Sequence, residues 1–175
     1  MKRNDPSHAL LRAAEELGHE GRAHSGDHAA LKLWLRMLAT TTQVEAEIRS
    51  RLRERFGISL ARFDYMAQLY RHADGLKMRA LSKYLMVTGG NVTGLTDELA
   101  SDGLVVREPS PTDRRAWIVR LTPKGRAVFK TMAQEHEGWI LELFSSMDEQ
   151  AMQQVHAHLG ALRVDLVRQD QDPMK

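Results

Sequence analysis

The residues with the clearest chemical meaning form a run of small polar side chains: Thr88, Gly89, Gly90, Asn91, Thr93 and Gly94. They stand where the apolar spacing opens a helix. Glycine inside a helix costs roughly 1 kcal/mol relative to alanine, so three in six residues is expensive for a flexible helix entry, the alternative reading. What they provide is access. A backbone without side chains can approach a surface closely, and the N–H groups of Gly89 and Gly90 can bind an anion at the positive end of the helix. Asn91 carries the paired donor and acceptor that match adenine N6 and N7, and Thr93 can meet a thymine methyl group or a phosphate. This is the chemistry of reading a DNA major groove.

Two more groups suit the same polyanion. Ser82 and Lys83 lie on the preceding helix, which crosses the DNA backbone in such an arrangement, and are candidate phosphate contacts; the alternative is a solvated face. Asp113, Arg114 and Arg115 sit in a polar segment between two short apolar runs. Arginine suits the negative potential of a narrow minor groove, and Asp113 would hold a neighbouring guanidinium in one geometry. Which arginine enters the groove is left open, and a plain charged hairpin loop is the competing reading.

A second set of residues suggests a small-molecule site. Trp34, Met37, Leu38, Thr41, Phe63, Met66, His136 and Trp139 could converge around an aromatic ring, with methionine adapting to its shape. Arg36, Arg49, Arg62 or His136 could meet a carboxylate or the phosphates of a CoA ester. Ordinary core packing is the rival explanation for these aromatics.

Other chemistries find no support. The chain has no cysteine, which excludes a disulfide scaffold, a thiol nucleophile and thiolate metal sites. Gly89, Gly90 and Gly94 lack both the phosphate-loop lysine and the dinucleotide spacing. His136-Glu137 lacks the second histidine of a zincin helix. His156 and His158, two apart, face different ways on a helix. No catalytic residue, cofactor or metal site is expected, and the chain is not read as an enzyme. An enzyme using His136 and Glu137 would require activity without a DNA footprint.

The 175 residues suit one domain with extensions. No apolar run approaches the roughly 18 residues of a membrane span, and the start of the chain lacks an apolar signal core; a cytoplasmic protein is expected. Net charge is only +2, but residues 59–125 hold 10 basic and 7 acidic side chains, whereas residues 126–175 hold 5 and 8. A basic stretch next to an acidic one is compatible with an anionic partner, and ordinary surface charge is the alternative.

The elements that must position these residues follow from periodicity. Residues 1–26 read as a loosely attached arm. A long helix runs over 27–57, with Asp27 as its cap, Gly57 as its stop, and apolar residues from Leu31 and Trp34 to Phe56. Ser59 caps a second helix. A third, over 78–86, and a fourth, capped by Thr88 and with Val92, Leu95 and Leu99 inward, flank a tight turn at 87–88. Strands over 104–108 and 116–121 enclose a loop at 109–115. Thr122-Pro123 opens a fifth helix, with Val128, Met132, Trp139 and Leu143 inward. A capping box of Ser146 and Glu149 opens a sixth. Its apolar seam, Met152, Val155, Leu159, Leu162 and Leu166, has the spacing of a packed helix pair.

The result is a mainly α fold with a small β-hairpin wing. A winged helix–turn–helix over 58–122 is flanked by the 27–57 helix and by C-terminal helices over 123–170, with a tail at 171–175. The long seams are expected to close on a second copy of the chain. A winged helix that binds protein rather than DNA is the alternative.

With these motifs in order, the chain resembles the MarR family of bacterial transcription regulators over residues 27–168. The resemblance is carried by Leu81-Ser82, by Thr88-Gly89-Gly90-Asn91-Val92-Thr93, by Asp102-Gly103-Leu104-Val105, by Asp113-Arg114-Arg115 and by Leu121-Thr122-Pro123-Lys124-Gly125. It implies a homodimer on a palindromic DNA operator, often a repressor released by a small aromatic ligand. It also implies that Arg115 is the minor-groove residue. Residues 62–69 and 86–95 are similar to a narrower group that controls aromatic-acid catabolism and answers to hydroxycinnamoyl-CoA thioesters. That implies an aromatic acid or aromatic acyl-CoA effector.

Overall fold

The computed structural model describes residues 28–85, 89–110 and 113–170, with the side chains of 113–115 and 170 left aside. The expected arm at 1–26, the tail at 171–175, the cap at Asp27 and the turn with Thr88 lie outside the described residues. In chain order the elements are α1 (Ala29–Phe56), α2 (Leu60–Arg71), β1 (Leu76–Lys77), α3 (Met78–Leu85), α4 (Gly89–Ser101), β2 (Val105–Ser110), β3 (Asp113–Leu121), α5 (Pro123–Leu143) and α6 (Glu149–Asp170). The chain divides after Gln134 into two compact units.

The first unit is built on caps and a shared core. His28 takes the N-cap position of α1 without a side-chain bond, and Gly57 closes the helix in the left-handed region, its N–H donating to the Arg53 carbonyl while the Ile58 N–H donates to that of Leu52. The Ser59 hydroxyl accepts from the Arg62 N–H at 3.3 Å and opens α2. Leu52, Met66, Leu69, Leu81, Val92 and Leu99 are sealed from solvent. Each such side chain contributes about 1.5–3 kcal/mol by leaving water. On α1, Ile48 and Leu52 are buried in the C-terminal half and Leu35 in the N-terminal half, while Leu31 and Trp34 are exposed. Glu45 pairs with Arg49, and Glu47 with Arg51 at 2.7 Å, along its charged face.

The wing is larger than expected. A two-residue strand, β1, joins the hairpin, giving an antiparallel sheet in the order β1-β3-β2. It pairs Leu76 with Val119 and is too short to leave a periodic signal in the sequence. The loop expected at 109–115 is also corrected. Strand β2 continues through Pro109 and Ser110, and β3 begins at Asp113. Pro109 is tolerated because the register shifts between Pro109 and Ser110, and a bulge is where a strand accepts proline.

Three further corrections concern helices. Val128 is exposed, and the inward stripe of α5 is Gly125, Phe129 and Met132. Contact at Gly125 fixes the face: a Cβ there would overlap the Leu104 carbonyl oxygen. The cap of α6 is Asp148, not Ser146; its Oδ1 accepts from the Ala151 N–H at 2.7 Å. On α4, Thr96 is buried where Leu95 was expected. The Thr122 cap at the start of α5 stands, its hydroxyl accepting from the Gly125 N–H at 2.9 Å.

The second unit, from Glu135, holds the end of α5 and all of α6. Here α6 leaves its whole seam exposed: Met152, Val155, Leu159, Leu162 and Leu166 all face solvent. An apolar groove of about 440 Å³ lies between Phe144, Met147, Val155 and Leu159.

Candidate nucleic-acid interface

The candidate DNA-reading helix, α4, is held from behind. Its buried face carries Val92, Thr96 and Leu99. Thr96 Oγ1 lies 2.6 Å from the Val92 carbonyl and 2.6 Å from the Tyr65 hydroxyl. Burial pushes the Tyr65 phenol above its ordinary value, partly offset by its bond to Thr96. Two polar groups therefore sit in the core, each with a partner, and fix the roll of α4 on α2.

The opposite side of α4 is open. Gly89, Gly90, Asn91, Thr93 and Gly94 are all exposed. A Cβ at Gly89, Gly90 or Gly94 would meet nothing within 4 Å. Internal packing thus gives no reason for three glycines here. The first turn of α4 holds no acidic residue, so the positive end of the helix is not neutralised from within it. The Thr93 hydroxyl donates to the Gly89 carbonyl at 3.1 Å. Lys83 is exposed on α3, and Ser82 is half-buried there. Asp113, Arg114 and Arg115 lie at the start of β3, with Asp113 paired to Ser110 in the hairpin register.

Contacts that were not legible in sequence tie the wing to this helix. Arg107 on β2 pairs with Asp97 on α4 and reaches the Thr93 carbonyl at 3.4 Å. At the far end of α4, Asp102 pairs with Arg62 of α2, and its carbonyl accepts from Lys124 Nζ at 2.8 Å. The Thr122 hydroxyl donates to the Gly103 carbonyl at 2.8 Å. The 102–105 and 121–125 motifs therefore meet, and together they set where the hairpin leaves the helical core. These pairs join residues far apart in sequence, and charge alone does not single out a partner among many.

The candidate ligand residues are divided. Phe63 and Met66 are buried in the first unit, with the Phe63 ring 5.4 Å from that of Phe129. Trp34 is 56% exposed, Thr41 is exposed, and Met37 and Leu38 are half-buried. His136 and Trp139 belong to the second unit and are half-buried. Among the candidate anion ligands, Arg49 is paired with Glu45 and Arg62 with Asp102.

Helices α2 to α4 followed by an antiparallel hairpin define a winged helix–turn–helix protein. Comparison with known proteins agrees. The profile of the MarR family matches residues 56–116. A MarR family transcriptional regulator from Silicibacter pomeroyi, known from its crystal structure, is 33% identical; the alignment covers 82% of this chain and 99% of that one, with a TM-score of 0.68. The HTH-type regulator YdgJ of Bacillus subtilis is 33% identical over 91 residues, 52% of this chain and 55% of that protein. The chain thus spans about half the length of this curated relative. The fold is also that of Sco3205 from Streptomyces coelicolor, a MarR family regulator solved in complex with DNA. There the TM-score is 0.71 at 21% identity, over 87% of this chain and 94% of that one. The chain belongs to the MarR family of winged-helix transcription regulators. That membership accords with the expectation that it is not an enzyme. Among the described residues, no helix is long and apolar enough to cross a membrane.

Proposed function

We propose that this chain is a homodimeric transcription regulator that binds a palindromic double-stranded DNA operator. Helix α4 enters the major groove, and the β2–β3 hairpin brings its arginines to the neighbouring minor groove. The observation that carries this reading is the open N-terminal half of α4. Three glycines stand there with empty space before them, on a helix whose first turn holds no carboxylate. The stability given up at each, about 1 kcal/mol against alanine, is recovered by nothing inside the chain. A close-approaching phosphate backbone and base edges would recover it.

Pairing of two chains is supported by the exposed seam of α6. Five apolar side chains at helical spacing, with Leu159 40% exposed, form a face that a lone chain leaves in water. To reach two half-sites, the two α4 helices of a pair must stand about one turn of DNA apart, roughly 34 Å.

Selection of duplexes from a random pool by the purified full-length chain, followed by anisotropy titration of the enriched duplex, tests this. Tight binding that weakens steeply with salt is expected. No enrichment, or binding indifferent to salt, would defeat the reading and leave a protein-binding winged helix in its place. A sedimentation experiment that finds a stable monomer would defeat the pairing.

The finer part of the proposal is a repressor released by a small aromatic carboxylate or its CoA thioester. Its support is the similarity of residues 62–69 and 86–95 to regulators of aromatic-acid catabolism. A ligand acts only through its differential affinity for the two states, and tenfold release needs about 1.4 kcal/mol. Titration of aromatic acids and their CoA esters into the protein–duplex complex checks it; no change in DNA affinity would remove the effector.

A further inference from the structure

Trp117 is 51% exposed on β3, although it stands on the face of the sheet that is otherwise buried. Side chains alternate across a strand, so Trp117 shares a face with Val119, which is sealed from solvent. Across the hairpin, Pro109 is the partner of Trp117, Arg107 of Val119 and Val105 of Leu121. Val105 is buried as well. This face packs on the helices, and Trp117 stands where it runs past them.

The place follows from how β2 tracks α4. The Leu104 N–H donates to the Leu99 carbonyl near the end of α4, and Arg107 reaches Asp97 and the Thr93 carbonyl. Each step out along the strand is thus a step back toward the start of the helix. Two residues further out, about 6.6 Å, come Pro109 and Trp117. One turn further back along α4, about 5.4 Å, come Gly89 and Gly90. Glycine offers no side chain to cover the indole, and a Cβ at either position would meet nothing within 4 Å. The ring therefore lies between the open end of α4 and the hairpin tip, where Asp113, Arg114 and Arg115 begin β3.

A helix in a major groove and a hairpin in the neighbouring minor groove straddle one sugar–phosphate ridge. Indole suits that ridge: it has a flat apolar face and a single N–H that only donates. Deoxyribose presents C–H groups to the face, and phosphate presents acceptors to the N–H. We propose that Trp117 is a DNA-backbone contact, its ring against a deoxyribose and its Nε1–H donating to the adjoining phosphate. This rests on the DNA-binding reading above. Such a contact holds the duplex in place and carries no sequence information. Being uncharged, it displaces no counterion.

The test uses the full-length chain, the duplex it enriches from a random pool, and a scrambled duplex of equal length. Trp117→Phe keeps an aromatic face and loses the N–H. Its affinity should fall about tenfold on both duplexes, the worth of one hydrogen bond to a charged group, and Trp117→Ala should fall further. Salt slope and melting temperature should stay those of the parent. Acrylamide quenching gives a second readout, with the difference between parent and Trp117→Phe isolating the fluorescence of Trp117. That signal should be open to quencher in the free chain and shielded once duplex is added. Parental affinity in Trp117→Phe would overturn the proposal, as would a loss confined to the enriched duplex, a loss in step with a lower melting temperature, or a ring that duplex leaves equally open to quencher. Should Trp117→Ala fail to fold, Trp117→Phe and the quenching decide. A parent chain that enriches no duplex refutes the DNA reading itself, whereas a parent and variants that bind alike refute only the role of Trp117.

Discussion

The hydroxyl of Tyr65 lies 2.6 Å from that of Thr96, and both side chains are sealed from solvent. Thr96 Oγ1 is equally close to the Val92 carbonyl. That carbonyl can only accept, so the threonine proton goes there and the tyrosine proton goes to Thr96. The two ends of this relay are unequal. Tyr65→Phe removes one donor and leaves Thr96 bonded to Val92, at a cost of about 1 kcal/mol. Thr96→Val strands the tyrosine hydroxyl in the core, at a cost of about 1–3 kcal/mol. Urea denaturation of the two variants should rank them in that order, and equal losses would contradict the relay.

The same pair sets an alkaline limit. Burial holds the Tyr65 phenol above the ordinary 10.0, with the bond to Thr96 pulling the other way. The unfolded chain therefore releases this proton at lower pH than the folded one. The stability involved is fully present below pH 10.0 and is lost as pH rises toward the folded value. Urea midpoints measured across that range should fall more steeply for the parent than for Tyr65→Phe.

Much of this architecture is legible in the sequence because its punctuation is local. Gly57, Ser59 and Thr122-Pro123 act within one helical turn, and each is found at the terminus where the residue type places it. What escapes is decided by tertiary contact. Tyr65 and Thr96 carry hydroxyls, which argue against burial until each is seen to satisfy the other. Val128 and Phe129 are equally apolar, and the close approach of Gly125 to Leu104 selects Phe129 for the core. Asp148 prevails over Ser146 because the helix begins at Glu149, and hydroxyl and carboxylate cap equally well in principle. Within the candidate site, the glycine-rich helix start is visible as composition. The Arg107–Asp97 tie is not, because it depends on how β2 crosses α4.

Two glycines on α5 should respond oppositely to alanine. At Gly125 a Cβ would overlap the Leu104 carbonyl oxygen and stand 2.8 Å from its carbon. Backbone must shift, at a cost of about 1–3 kcal/mol. At Gly138 a Cβ would meet nothing within 4 Å, and the helix gains up to about 1 kcal/mol. Thermal unfolding should show Gly125→Ala below the parent and Gly138→Ala above it. Similar behaviour of the two would mean that the junction of β2 and α5 yields more easily than its geometry implies.

Gly90→Ala separates stability from recognition on α4. The position is exposed and helical, with open space where the methyl group would go. The folded chain should therefore gain up to about 1 kcal/mol, read as a higher urea midpoint. If α4 approaches DNA by its backbone, the same methyl group holds the helix away from the groove floor. Affinity for the selected duplex should then fall by about tenfold, the worth of one lost base contact. Gly138→Ala, which is stabilised by the same helix effect on another element, should keep its affinity. A Gly90→Ala chain that is more stable and binds DNA as tightly as the parent would show that the glycines of α4 serve something other than access to the duplex.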